Sequence, residues 1–154
     1  MTTLLKMLYT DDIRKILESD KRTTSQFKGV FASDKLPCKA NINSLYVCNT
    51  DSSTMPGEHW IVIYFDKDHR AEYFDSFGLH PSITSFENFL NNNSVTWKCN
   101  VKPVQHLLSD ACGYHCVFFA IHRCVGFDMN TIVNMYTHDL NFNDHIVKMF
   151  VNNQ

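Results

Sequence analysis

The chain has 154 residues, 44% of them hydrophobic and 13% aromatic, with a formal net charge of −2. That is enough apolar material for one packed domain over residues 1–154, and it excludes a disordered or low-complexity chain. The slightly acidic balance argues against a broad phosphate-binding face, so nucleic acid is not an expected partner. No apolar run approaches the roughly 20 residues that span a bilayer. Met1 to Lys6 has no basic segment followed by an apolar stretch, so no signal peptide is expected. The six cysteines, at 38, 48, 99, 112, 116 and 124, then read as free thiols in a reducing, intracellular compartment.

Taken in order, Thr10 is the expected N-cap of a first helix, with Asp11 and Asp12 in its positive first turn and Ile13, Ile16 and Leu17 along its apolar stripe. Phe27–Phe31 and Ser44–Cys48 read as short strands, and 49–57 as a loop. Glu58–Phe65 is an almost continuous β-branched and aromatic run, the pattern of a central strand buried on both faces. The charged turn 66–70 and the returning strand 71–75 complete a β-hairpin. A helix is expected from Pro81 to Leu90, a β-like stretch over 95–104, and a buried helix opening at Cys112. Asp128 is the expected cap of a helix to about Thr137. Asn143 is the expected cap of a last helix that buries Ile146, Val147, Met149 and Phe150. Central strands flanked by helices predict an α+β fold around a mixed, mostly antiparallel β-sheet.

Chemistry concentrates at Gln105-His-Leu-Leu-Ser-Asp-Ala-Cys112-Gly113. A thiol in the first turn of a helix meets the positive end of the helix dipole, which favours the thiolate. A glutamine one short loop upstream can offer a side-chain N–H to a developing oxyanion. A thiolate nucleophile needs a base, and the base needs an orienting group. Eight histidines are available. His59 starts the rigid buried strand beside Trp60, and Asp75 ends the strand that returns to it. Both therefore fall at the open end of one hairpin. His69 sits in the solvated turn, and His106, in the loop near the thiol, is the strongest competitor. Cys116, one turn from Cys112, reads as a core thiol, as do Cys38, Cys48 and Cys124. Cys112, His115, Cys116, His122 and Cys124 lie along one helix without a second ligand pair, so no metal site is expected.

Together, His59-Trp60, then Tyr73-Phe-Asp75-Ser-Phe-Gly78, then Gln105 and Ser109-Asp-Ala-Cys112-Gly113 with Cys116, resemble the adenovirus-type cysteine endopeptidases (adenains), relatives of the Ulp/sentrin-specific proteases. The order His, acid, Gln, Cys is that of the group, and the resemblance spans about residues 27–125. The acid is Asp, as in the Ulp branch, where adenains usually carry Glu.

The resemblance implies a thiol protease. Cys112 would be the nucleophile, His59 the general base and acid, Asp75 the orienting acid and Gln105 the oxyanion side chain. Trp60 and Gly113, their neighbours in the motif, would line the substrate. It further implies protein substrates cut at Gly-containing sites, either virion or mobile-element precursors or conjugates of a ubiquitin-like modifier. A monomer acting in the host nucleus or cytoplasm, or in the virion, is the matching expectation. No cofactor is implied. Adenains are stimulated by DNA and by a peptide that forms a disulfide with the enzyme. The acidic balance makes DNA stimulation less expected here, and Cys99 stands closer to Gln105 than a peptide-bonding cysteine should, so activation stays open. The alternatives are a deconjugating isopeptidase and a non-enzymatic interaction domain that keeps the motif. An acyltransferase is disfavoured because the chain offers no basic cluster for a cofactor.

Overall fold

The computed structural model describes residues 6–55, 57 and 59–154. Met1–Leu5, most of the stretch read for a leader, lie outside the described residues. So do Pro56 and Glu58, the latter the expected first residue of the central strand. The elements run α1 (Thr10–Ser19), β1 (Phe27–Phe31), β2 (Ser44–Asn49), β3 (Trp60–Phe65), β4 (Arg70–Phe74), α2 (Thr84–Asn93), β5 (Thr96–Cys99), α3 (Cys112–Cys124), α4 (Met129–Asn134) and α5 (Leu140–Asn152). This is the expected α+β arrangement, a five-stranded mixed sheet flanked by helices.

The strands lie in chain order. The two central pairings, β2 with β3 and β3 with β4, are antiparallel, whereas β1 joins β2 and β5 joins β4 in parallel at the two edges. Every residue of β2 and β3 is buried, as the unbroken apolar run of β3 requires. Alternation along the strands feeds two cores. Val47, Val62, Tyr64 and Phe74 pack under α1, α3, α4 and α5, and Tyr46, Ile61, Ile63 and Tyr73 pack under Phe86, Phe89 and Leu90 of α2. The first ten residues of α3, Cys112–Ile121, are buried, which makes it the central helix of its layer. Phe119 on α3 stacks on Phe74 of β4 with ring centroids 4.4 Å apart.

Several local expectations are corrected. Thr10 is the first residue of α1 rather than its cap; the cap position is Tyr9, whose N–H donates to the Asp12 carboxylate at 2.9 Å. α5 starts earlier than expected because Asp139, not Asn143, caps it, accepting from the Phe142 N–H at 3.1 Å. Asn143 is instead buried inside the helix, and its buried companions are Asp144, Val147 and Val151, while Ile146 and Met149 are exposed. The 95–104 stretch forms only the four-residue β5. Cys38, expected in the core, is exposed, and Cys124 is half-buried, while Cys48 and Cys116 are fully buried.

Candidate active site

β3 and β4 are antiparallel neighbours, with Val62 opposite Phe74, so the start of one and the end of the other share one end of the sheet. His59 precedes β3 there and Asp75 follows β4. Their side chains meet, His59 Nε2 lying 2.9 Å from Asp75 Oδ1. Both are largely shielded, with side-chain exposures of 14% and 5%. The ring of Phe77 stacks on the imidazole at 4.7 Å. With Nε2 committed to Asp75, Nδ1 is the ring nitrogen left for Cys112, which lines the same cleft. Burial opposes the imidazolium, but the interactions with Asp75 and Cys112 outweigh it and raise His59 to about pKa 9.

Cys112 is the first residue of α3 and is 8% exposed. The preceding residue, Ala111, has no side chain able to cap the helix, so Cys112 stands at an N-terminus without a side-chain cap. Gly113 is buried, and a Cβ there would come within 3.0 Å of the Leu8 Cβ and 3.4 Å of Ile13 Cδ1. This glycine therefore lets residues leading into α1 pack tightly against the first turn of α3. Tyr114 strengthens the same contact by donating its hydroxyl to the Lys6 carbonyl.

Gln105 is also buried. Its Nε2 donates to the carbonyl and hydroxyl oxygens of Ser109, each at 3.1 Å, and its Oε1 accepts from Ser76 Oγ at 2.5 Å. The Ser109 carbonyl can only accept, which fixes the orientation of the Gln105 amide. Backbone bonds hold the loop of Gln105 to that of Asp75: the N–H groups of Val104 and Gln105 both donate to the Ser76 carbonyl, at 2.8 and 3.1 Å.

The sequence reading missed the groups that hold Asp75. Asn100, just past β5, brackets its peptide, accepting the Asp75 N–H at 2.9 Å and donating Nδ2 to the Asp75 carbonyl at 2.7 Å. The Phe77 N–H donates to the same Oδ1 that meets His59. Gly78 closes the turn, its N–H donating to the Asp75 carbonyl. Its φ is +69°, and a Cβ would sit 2.8 to 2.9 Å from the backbone of Val101, Lys102 and Pro103. Gly78→Ala should therefore lower stability by about 1–3 kcal/mol, read as a depressed thermal midpoint; an unchanged midpoint would contradict this account of the turn. A Gly three residues after an Asp is the one signal in the sequence that could have marked this turn.

Cys112 and Met7 border two clefts. One, of about 330 Å³, is lined by Trp60, Val30, Phe31, Met55 and Asp51 among others. The second, of about 450 Å³, contains His59, Asp75, Gln105 and Ser109, with Phe77, Leu79 and Ile83 on its wall. Trp60 itself is only 9% exposed and belongs to the core beneath α3 as well as to the first cleft. His106, the strongest competitor in the sequence, lines neither cleft and accepts the Leu108 N–H at its Nδ1. His115 is fully buried, and His122 bonds the Phe118 carbonyl. Among the described residues, no three His, Cys, Asp or Glu side chains are grouped to hold a metal. No helix among them is long and apolar enough to cross a membrane.

No family model and no curated protein matches the sequence. The fold is that of a solved protease. The crystal structure of ASFV pS273R protease superposes with a TM-score of 0.62 at 17% identity, over 94% of this chain and 67% of that one. A selenomethionine form of the same protease aligns over 74% of this chain and 45% of its own length, at 21% identity and a TM-score of 0.44.

Proposed function

We propose that the chain is a cysteine endopeptidase in which Cys112 attacks a peptide carbonyl. The observation that carries this reading is the His59 ring, bonded to Asp75 through Nε2 and lining one cleft with the thiol that opens α3. His59 holds the proton that the thiol has given up and passes it to the leaving amine, and Asp75 fixes the tautomer and stabilises the imidazolium. The Gln105 amide, exchanging a bond to Ser109 for one to the acyl oxygen, and the Cys112 N–H stabilise the tetrahedral oxyanion. Water then hydrolyses the thioester.

The second cleft contains the proton donor and so takes the leaving-group side of the substrate. The cleft under Trp60 takes the acyl side. The adenain resemblance and the fold shared with a viral protease favour structural precursor proteins with glycine near the scissile bond. The Asp at position 75, typical of the Ulp branch, keeps deconjugation of a ubiquitin-like modifier as the second reading.

Digestion of a peptide library by the wild type and by Cys112→Ala tests the proposal. Cleavage at Gly-containing sites by the wild type alone supports it. Identical digests, including with added DNA and candidate activating peptides, would sink it. Modifier probes with a reactive C-terminus should label Cys112 only under the second reading.

A further inference from the structure

Gln105 is flanked by two peptide groups that are both held by α5. Asn143 Nδ2 donates to the Val104 carbonyl at 3.1 Å, and Asp144 Oδ2 accepts the His106 N–H at 3.3 Å. Both side chains are buried, and neither lines a cleft beside Cys112. Asn143 uses its whole amide, since its Oδ1 accepts the Thr137 N–H and hydroxyl and its Nδ2 also donates to the Thr137 carbonyl.

Asp144 reaches further. Its Oδ1 lies 2.7 Å from Nε2 of His115, which sits one turn along α3 from Cys112 and is fully buried. Nδ1 of His115 lies 3.1 Å from the Tyr136 hydroxyl. Burial opposes protonation there and, against the pull of Asp144, holds His115 below its ordinary pKa. In the neutral ring, the Tyr136 hydroxyl donates to Nδ1 and Nε2–H donates to Asp144. One carboxylate thus ties the helix of the nucleophile to the loop of the oxyanion glutamine.

Buried polar groups of this kind are costly unless fully bonded, and an apolar helix face would hold α5 to α3 at least as well. Here they bond the carbonyl just before Gln105 and the N–H just after it. We propose that Asn143 and Asp144 are positioning residues that set the Gln105 amide relative to Cys112, so that α5 acts on the reaction without touching substrate. The inference rests on the oxyanion reading of Gln105.

Two reagents separate the parts. With p-nitrophenyl acetate, Cys112 Sγ bonds the acetyl carbon through an oxyanion, p-nitrophenolate leaves with the C–O electron pair, and the proton given up by the thiol stays on His59. With iodoacetamide, Sγ displaces iodide from carbon and no oxyanion forms. Both rates are read at Cys112 by mass spectrometry, so no cognate peptide is needed. Asp144→Asn sets an amide donor against either the His106 N–H or His115. Asn143→Asp removes the donor to Val104. Each should slow acylation about tenfold and leave alkylation within about twofold of wild type. In a Gln105→Ala background neither should slow acylation further. Met149→Ala, on the exposed face of α5, should change nothing.

Equal losses in both rates, or losses that add to that of Gln105→Ala, would overturn the positioning role. Acylation unchanged in Gln105→Ala itself would instead overturn the oxyanion reading. Asn143→Asp places a second carboxylate beside Asp144, so thermal midpoints are compared first. If it unfolds, Asp144→Asn, which keeps shape, carries the test.

Discussion

Cys112→Ala should abolish peptide hydrolysis, lowering kcat by about 10⁵-fold or more, while leaving the fold intact. Removing the nucleophile of a unit that acts together costs as much as removing the whole unit, so no residual thiol can substitute. Cys116 is the nearest alternative in sequence, but it is completely buried, and burial holds its thiol well above the ordinary range. The cost in stability should stay within about 1 kcal/mol, because the change deletes one sulfur at the edge of a cleft. Circular dichroism and a thermal midpoint near the wild type would establish that the lost activity is chemical. Iodoacetamide should modify Cys112 of the wild type well before Cys48 and Cys116, which are fully buried. Turnover surviving in Cys112→Ala would contradict the assignment of the nucleophile.

Asp75→Asn should have the second-largest effect, a loss of about 10³- to 10⁴-fold in kcat with the geometry preserved. An amide facing Nε2 favours the wrong tautomer and withdraws the charge that stabilises the imidazolium. It should also move the pH profile. His59 is held at about 9, above its ordinary 6.5, by interactions with Asp75 and Cys112 that outweigh its burial. The wild type therefore keeps its proton donor to about pH 9, where the alkaline limb of kcat/KM should fall. Without the carboxylate, burial acts with less opposition and the limb should shift to lower pH. The same linkage applies to folding. Stability from the raised pKa is fully present below pH 6.5 and is lost as pH rises through about 9. Asp75→Asn should flatten that alkaline decline in the thermal midpoint. A kcat/KM limb that stays put would show that Asp75 does not set the protonation of His59.

Both predictions concern residues that stand far apart in the chain, and their meeting depends on three layers. The antiparallel β3–β4 pair brings His59 to Asp75. α3 packs across the same sheet and delivers Cys112 to that end. The turn after Asp75 is then locked by Asn100, just past β5, and through the Ser76 carbonyl to the N–H groups of Val104 and Gln105. Rigidity of this kind is what a catalytic hydrogen-bond chain needs, since small displacements cost large factors in rate.

What the chain determined by itself is local. The uninterrupted β-branched run of β3, the charged turn after it and the apolar run after Cys112 specify a buried strand, a hairpin and a buried helix. Period and turn chemistry are written in neighbouring residues. Cys112, His59 and Asp75, the proposed nucleophile, base and acid, could be singled out for the same reason, because each stands where one of these elements starts or ends, whereas Gln105 lies inside the loop between β5 and α3.

The rest depends on residues distant in sequence, and only the tertiary structure decided it. Nothing near β1 or β5 specifies a parallel pairing, which is set by how each edge strand docks on its neighbour. Asn143 looks like a helix cap because Asn favours caps. Inside α5 it is stabilised instead by partners at Val104 and Thr137, which no local pattern reveals. Asn100, Ser76 and Asp144 likewise act through bonds that close only when the sheet, the loop of Gln105 and α5 are packed together. His59, Asp75 and Cys112 were legible because they sit at element ends. The groups that hold them were not, because a buried hydrogen bond between distant segments leaves no periodicity in the sequence.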